Sequence, residues 1–153
     1  YMNIIPLLKE KQNKKEEEKV EFFKSYSGIK ILLLDLIKDS KKGDIYRVFN
    51  IEEPEKYEET KFKVFKSLKG LMRQKKLIMK GIFSEENREK SKKGSIMQKR
   101  YLNTPMPPNT SILNDKVAII SWEEVPSGIL IYSKEIAGKY ADFFEHTWKV
   151  AKK

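Results

Sequence analysis

The most constraining stretch of this 153-residue chain is Asp115-Lys-Val-Ala-Ile-Ile-Ser-Trp122. Val117 to Ile120 is an unbroken apolar run, β-branched at three of four positions and too short for a helix of ordinary length. Such a run suits a strand covered on both faces, because a half-exposed strand would alternate apolar with polar residues. Asn114-Asp115 reads as the turn that opens it, since both side chains bond readily to their own backbone. Gly128 to Tyr132 supplies a second strand close behind, beyond Pro126. A strand buried on both faces requires helices above and below, so the rest of the chain must supply them.

Three amphipathic stretches do so. After a strand at Val20 to Tyr26, Gly28 breaks the chain, and Ile29, Leu32, Leu33, Leu36 and Ile37 recur at helical spacing. Lys41-Lys-Gly-Asp44 closes that helix, and Ile45 to Ile51 reads as a further strand. From Pro54 a helix presents Tyr57, Phe62, Phe65, Leu68 and Met72 near one face, with Gly70 weakening it. Leu77 to Phe83 forms a third strand, with Gly81 as a bulge, and the polar Ser84 to Gly94 is exposed. Ser95 to Leu102 extends before a loop, residues 103–109, whose three prolines exclude a regular helix. Ser133 caps a last helix with a stripe of Ile136, Tyr140, Phe143, Phe144, Thr147, Trp148 and Ala151. The expected architecture is a mixed α/β fold, a β-sheet sandwiched by helices with at least one crossover and a terminal α-helix.

Residues 1–19, where Asn3 caps a short helix around Pro6 and Lys9 to Lys19 is almost wholly polar, read as a connecting arm to a domain at 20–153. The chain has no cysteine, which removes disulfides, thiolate zinc sites and cysteine nucleophiles and fits a cytoplasmic location. Its longest early apolar run, Ile4 to Leu8, contains Pro6 and falls far short of the roughly 20 residues of a membrane span.

The net charge of +10 is concentrated. Residues 61–100 carry 14 basic and 3 acidic side chains, a net of +11, whereas the flanking stretches are close to neutral. Such a block is either a solvated helix face or a surface for anions, with Lys63, Lys66, Arg73, Lys75 and Lys76 the candidate nucleic-acid or anion contacts.

Catalytic patterns are scarce. His146, the one histidine, shares a helix with Asp142 at i−4, the spacing of a surface hydrogen-bonded pair, and no metal site is expected. No serine elbow or Walker loop is present, and the adjacent pairs Glu52-Glu53 and Glu123-Glu124 say nothing about separation across a substrate. For binding, aromatic platforms beside polar groups at strand ends are more informative. Asn50, Tyr101, Trp122 and Glu123 are the candidate ligand-binding residues, because a ring can stack on a sugar's apolar face while amide and carboxylate groups bond its hydroxyls.

Arg100-Tyr-Leu-Asn103, the proline loop, Asp115 to Trp122, Gly128-Ile-Leu-Ile131 and the spacing Glu135-Ile-Ala137, Tyr140, Phe144, Trp148 together resemble the effector domain of TrmB-like transcriptional regulators of archaea and bacteria. The resemblance covers roughly residues 20–152 and is most specific in the last 50. It implies a noncatalytic, ligand-sensing and dimerising module without cofactor, a small-molecule effector such as a sugar, a homodimer, and DNA bound through a winged helix-turn-helix domain absent from this chain. That effector domain is in turn similar to one half of a phospholipase D fold, whose motif is His-x-Lys, four residues, then Asp. With Asp115 as the motif aspartate, Pro108 stands at the nucleophile and Thr110 at the phosphate-binding lysine, and neither can do that chemistry. The alternatives are a phospholipase D-like phosphodiesterase or nuclease, and a basic nucleic-acid-binding module.

Overall fold

The computed structural model describes residues 5–6, 18–51, 53–89 and 95–153. Most of the expected arm at 1–19, and residues 90–94 of the expected exposed stretch, lie outside the described residues; Ile5 and Pro6 are helical. The described elements run β1 (Lys19–Lys24), α1 (Ser25–Ile37), β2 (Ile45–Asn50), α2 (Glu55–Gln74), β3 (Ile78–Ser84), a short 3-10 turn (Glu85–Asn87), β4 (Gln98–Leu102), β5 (Thr110–Leu113), β6 (Lys116–Ser121), β7 (Ser127–Tyr132) and α3 (Lys134–Val150).

All seven strands join one mixed sheet in the order β1-β7-β6-β5-β2-β3-β4. β2, β3 and β4 are parallel, and every other pairing is antiparallel. α2 is the crossover between the parallel neighbours β2 and β3, as parallel pairing demands.

Alternation along the strands divides the core in two. On one face Tyr46, Val48, Met79, Ala118, Ile120 and Leu130 meet the α1 row Ile29, Leu32, Leu33, Leu36 and Ile37, and Val64, Leu68 and Met72 of α2. On the other face Phe49, Ile82, Ile112 and Val117 pack against Ala137, Phe144 and Trp148 of α3. Neighbours in sequence, Val117 and Ala118, thus belong to opposite cores, which is why the run through them has no polar member.

Several local expectations are corrected. Gly28 does not break the chain before the helix but lies in the first turn of α1, its N–H taken by Ser25 Oγ at 3.3 Å. The chain turns into α1 instead at Ser25, which adopts a φ of 74° and donates its N–H to Pro126 O at 2.9 Å. Gly81 is no bulge, since β3 keeps unbroken register with both neighbours. Gly70 neither shortens nor breaks α2, which runs on to Gln74. β5 had no expected counterpart: its four residues are all buried, but Thr110 and Ser111 hid the apolar signal behind the proline loop. Phe62, Ile136 and Phe143 keep much of their surface exposed, Phe143 with its ring 5.7 Å from Phe49 and Phe62 in the wall of a cleft, and the fully buried stripes of α2 and α3 run through Val64 and Ala137. His146 is exposed and makes no hydrogen bond to Asp142.

The Asn114-Asp115 turn and the Ser133 cap hold. Leu113 pairs with Lys116, leaving a two-residue turn in which Asn114 takes a φ of 54°. Its side-chain amide donates to Asp44 Oδ2 at 2.9 Å, tying this hairpin to the turn before β2. Ser133 Oγ accepts the Ile136 N–H at 3.2 Å. Among the described residues no helix is long and apolar enough to cross a membrane.

Candidate functional site

The parallel strands β2, β3 and β4 run the same way, so their carboxyl ends, Asn50, Ser84 and Leu102, lie along one edge. β2 is also where pairing changes sense, antiparallel to β5 on one side and parallel to β3 on the other. Ligands of open α/β sheets settle beyond strand carboxyl ends at such a change.

A cleft of about 900 Å³ opens between α2 and the face of β2–β4. Tyr46, Val48 and Met79 form its floor with Phe83 and Tyr101; Phe62, Phe65 and Met72 of α2 make one wall; Ile96 and Met97 close the other side. Its polar groups sit at one end, Asn50, Glu53, Glu58 and Lys61, and along the mouth, Lys66, Lys69 and Lys99. This is the composition of a small-molecule pocket: mostly apolar, with few polar groups to orient a ligand.

Gly81 shapes the floor. A Cβ there would stand 2.5 Å from the Phe83 ring and 2.6 Å from Met97 Sδ, so the missing side chain is what lets these two fold over β3. Phe83 and Tyr101 then face each other at a tilt, centroids 6.2 Å apart.

At the polar end, Lys61 is buried on α2 in line with Val64, Leu68 and Met72. Its ammonium donates to Asn50 Oδ1 at 2.8 Å, Ile51 O at 3.1 Å and Glu58 Oε1 at 2.8 Å. Glu58 Oε1 also accepts the Glu53 N–H, and Glu53 Oε1 accepts from the Asn109 side chain at 2.5 Å. Burial pushes the Glu53 carboxyl above its ordinary range, partly countered by Lys61 and reinforced by the neighbouring charges of Glu58 and Glu123.

Of the four candidate ligand residues, Asn50 and Tyr101 come together in the cleft. Trp122 does not line it: it is 3% exposed, packs 6.2 Å from Phe65, and its Nε1 has no hydrogen-bond partner among the described residues. Glu123 is exposed and reaches the site only through its charge. Of the basic candidates, Lys66 borders the mouth, and Arg73 and Lys76 are exposed. Lys63 pairs with Glu59 at 3.1 Å, and Lys75 turns inward to Lys38 O and Ser40 O. Lys61, Phe83 and Met97 were not among the expected site residues. The signal for Lys61 was a lysine in phase with an apolar stripe.

The phospholipase D spacing can be placed on the sheet. Thr110 starts β5 opposite Phe49, so Thr110 and Pro108 lie at the carboxyl edge of β2, and Thr110 Oγ1 donates to Pro108 O. Asp115 is exposed in the turn at the other end of β5. Among the described residues no three His, Cys, Asp or Glu side chains gather as metal ligands.

No protein-family model matches the sequence, and no curated protein matches it by sequence. Solved structures do match by shape. NucT from Helicobacter pylori superposes with a TM-score of 0.60 at 13% identity, over 89% of this chain and 99% of that one. Nuc from Salmonella typhimurium, a phospholipase D family member, gives 0.58 at 15%, over 89% and 97%. The fold is phospholipase D-like. TrmBL2, an archaeal chromatin protein described as showing a novel mode of DNA binding, gives 0.55 at 11%, over 97% of this chain but 63% of its own. The present chain therefore spans less than two thirds of TrmBL2, and at these identities the likeness is one of fold alone.

Proposed function

We propose that this phospholipase D-like domain is the noncatalytic sensing and dimerisation module of a cytoplasmic TrmB-like regulator, holding a small-molecule effector in the cleft beneath α2 and acting on DNA through a domain outside this chain. The observation that carries the reading is the cleft: about 900 Å³, largely apolar, at the carboxyl edge of the parallel strands. With Asp115 taken as the motif aspartate, Pro108 and Thr110 fall where the motif has histidine and lysine, which supports a binding role over a hydrolytic one. A sugar fits by stacking on Phe83, which Tyr101 backs, and accepting a hydrogen bond from the Asn50 amide, whose oxygen Lys61 already occupies. The share of apolar lining favours an effector with a broad apolar face.

A thermal-shift screen of sugars, phosphorylated metabolites, nucleotides and aromatic acids tests this. A ligand at a hundred times its Kd stabilises the folded state by about 2.7 kcal/mol, a rise of several degrees in Tm. The rise should vanish in Phe83→Ala and Asn50→Ala. If no compound shifts Tm, or the shift survives both substitutions, the cleft is not an effector site.

A second reading, phosphodiester hydrolysis, is favoured by the match to Nuc and NucT over nearly their whole length. It predicts turnover of phosphodiesters by the purified chain.

A further inference from the structure

Between Glu59 and Glu85 the sequence has eight basic side chains and no acidic one. Four are engaged: Lys61 and Lys63 with Glu58 and Glu59, Lys75 with the end of α1, and Lys80 with Glu145. The other four, Lys66, Lys69, Arg73 and Lys76, are exposed and have no acidic partner among the described residues.

Lys66, Lys69 and Arg73, at i, i+3 and i+7, form a row on α2, and Lys76 follows in the turn beyond Gln74, where its φ of 55° has left the helix. At about 1.5 Å per residue, the three helical cations advance by roughly 4.5 and 6 Å over about 10 Å. The buried row Lys61, Val64, Leu68 and Met72 fixes another side of the helix on the protein, so the helical cations stand on a rigid rod. Arg73 and Lys76 also suit the helix dipole at the C-terminal turn, but Lys66 and Lys69 lie too far back to gain from it.

We propose that this row is a docking surface for the phosphate backbone of duplex DNA. A run of exposed cations without acidic partners complements the line of anions on a nucleic-acid backbone, and phosphate contacts by Lys and Arg need no base-reading group. A membrane surface fits less well, because the apolar side of α2 is turned into the fold and only Phe62 stands beside the row. The row borders the mouth of the cleft, where Lys66 and Lys69 stand, but docking through it does not depend on the cleft holding an effector.

The test is duplex binding by the 153-residue chain as salt is varied. With four phosphates engaged, log K falls against log salt with a slope of roughly −3.6, about a hundredfold between 50 and 200 mM. The triple variant Lys66→Gln, Lys69→Gln, Arg73→Gln should lose more than tenfold in affinity, its slope flattening to about −1. A control with exposed lysines changed elsewhere, Lys41→Gln, Lys134→Gln, Lys149→Gln, should keep the parent slope. All six positions are exposed, and equal Tm values for the two variants show that folding is intact. Equal losses in the two variants, no duplex binding at about 50 mM salt, or retention by phosphatidylserine vesicles without duplex binding would each overturn the proposal.

Discussion

Lys61 uses all three ammonium donors to fasten the start of α2 to the end of β2. Its side chain is 6% exposed whereas Glu58 is 39% exposed, so the strength of the contact lies in the two backbone-proximal acceptors as much as in the ion pair. Lys61→Met keeps the stem but leaves Asn50, Ile51 and Glu58 short of a donor. We expect it to cost about 2 kcal/mol by chemical denaturation and to weaken effector binding as well, because Asn50 is released. A loss below about 0.5 kcal/mol would mean that water replaces the ammonium and that the contact does not position the cleft. Lys116 makes a similar buried tie elsewhere, donating to Asp35 O and Asp39 Oδ2 beneath α1. Neither lysine is distinguishable by residue type from the exposed lysines around it. What sets Lys61 apart is its phase with Val64, Leu68 and Met72, and only three-dimensional neighbours reveal its acceptors.

α3 is held by packing and by charge. Phe144 meets Phe49 edge-on at 5.1 Å, and Arg100 lies over Trp148 at 4.4 Å and donates to Trp148 O. Between them Glu145 accepts from Arg47 Nε at 2.8 Å, with Lys80 Nζ at 3.7 Å. Burial raises the Glu145 carboxyl, but the Arg47 hydrogen bond and the Lys80 charge outweigh it and hold the group below its ordinary 4.5. A carboxyl depressed in the folded state adds stability above its unfolded pKa, and that stability is lost as pH falls through the folded value. Glu145→Gln should therefore lower stability by about 1 kcal/mol at neutral pH, a figure discounted for the partial exposure of Glu145. The difference should close in strong acid, where both forms of the parent carboxyl are protonated. Urea unfolding of parent and variant at neutral and acid pH checks this, and a gap that stays constant with pH would assign the effect to packing. The α3 stripe shows how element-level reading slips: helical period picked out Phe144 and Trp148 correctly but also admitted Ile136 and Phe143, because the 17-residue helix is only partly covered by the sheet.

At the scale of the whole molecule, the sheet presents two chemically different edges. The carboxyl edge of β2–β4 gathers the cleft, the Lys61 network, Pro108 and Thr110, while Asp115 sits in a turn at the far end of β5. A chain with this fold and these residues should show no turnover of bis(p-nitrophenyl) phosphate or of single-stranded DNA above background. Turnover that persists after purification to constant specific activity and disappears in Asp115→Asn would reinstate hydrolysis and displace the sensing role. The placement of α2 links this edge to the remaining surface, since one helix supplies a wall of the cleft and the cationic row beside its mouth.

The sequence by itself determined the alternation of strands and helices, the doubly buried Val117–Ile120 strand, the Asn114-Asp115 turn, the Ser133 cap and the lack of a His-x-Lys pair before Asp115. Each of these rests on short-range chemistry: periodicity, turn preference, capping and residue identity. Tertiary structure decided which face each side chain served. It revealed β5, whose Thr110 and Ser111 are buried by neighbouring strands and not by their own apolarity. It brought Asn50 to Tyr101 across two intervening pairings and withdrew Trp122 into the core. It also divided one basic block into engaged lysines and an unengaged row. Burial and pairing depend on residues far apart in the chain, and a local pattern carries no record of them.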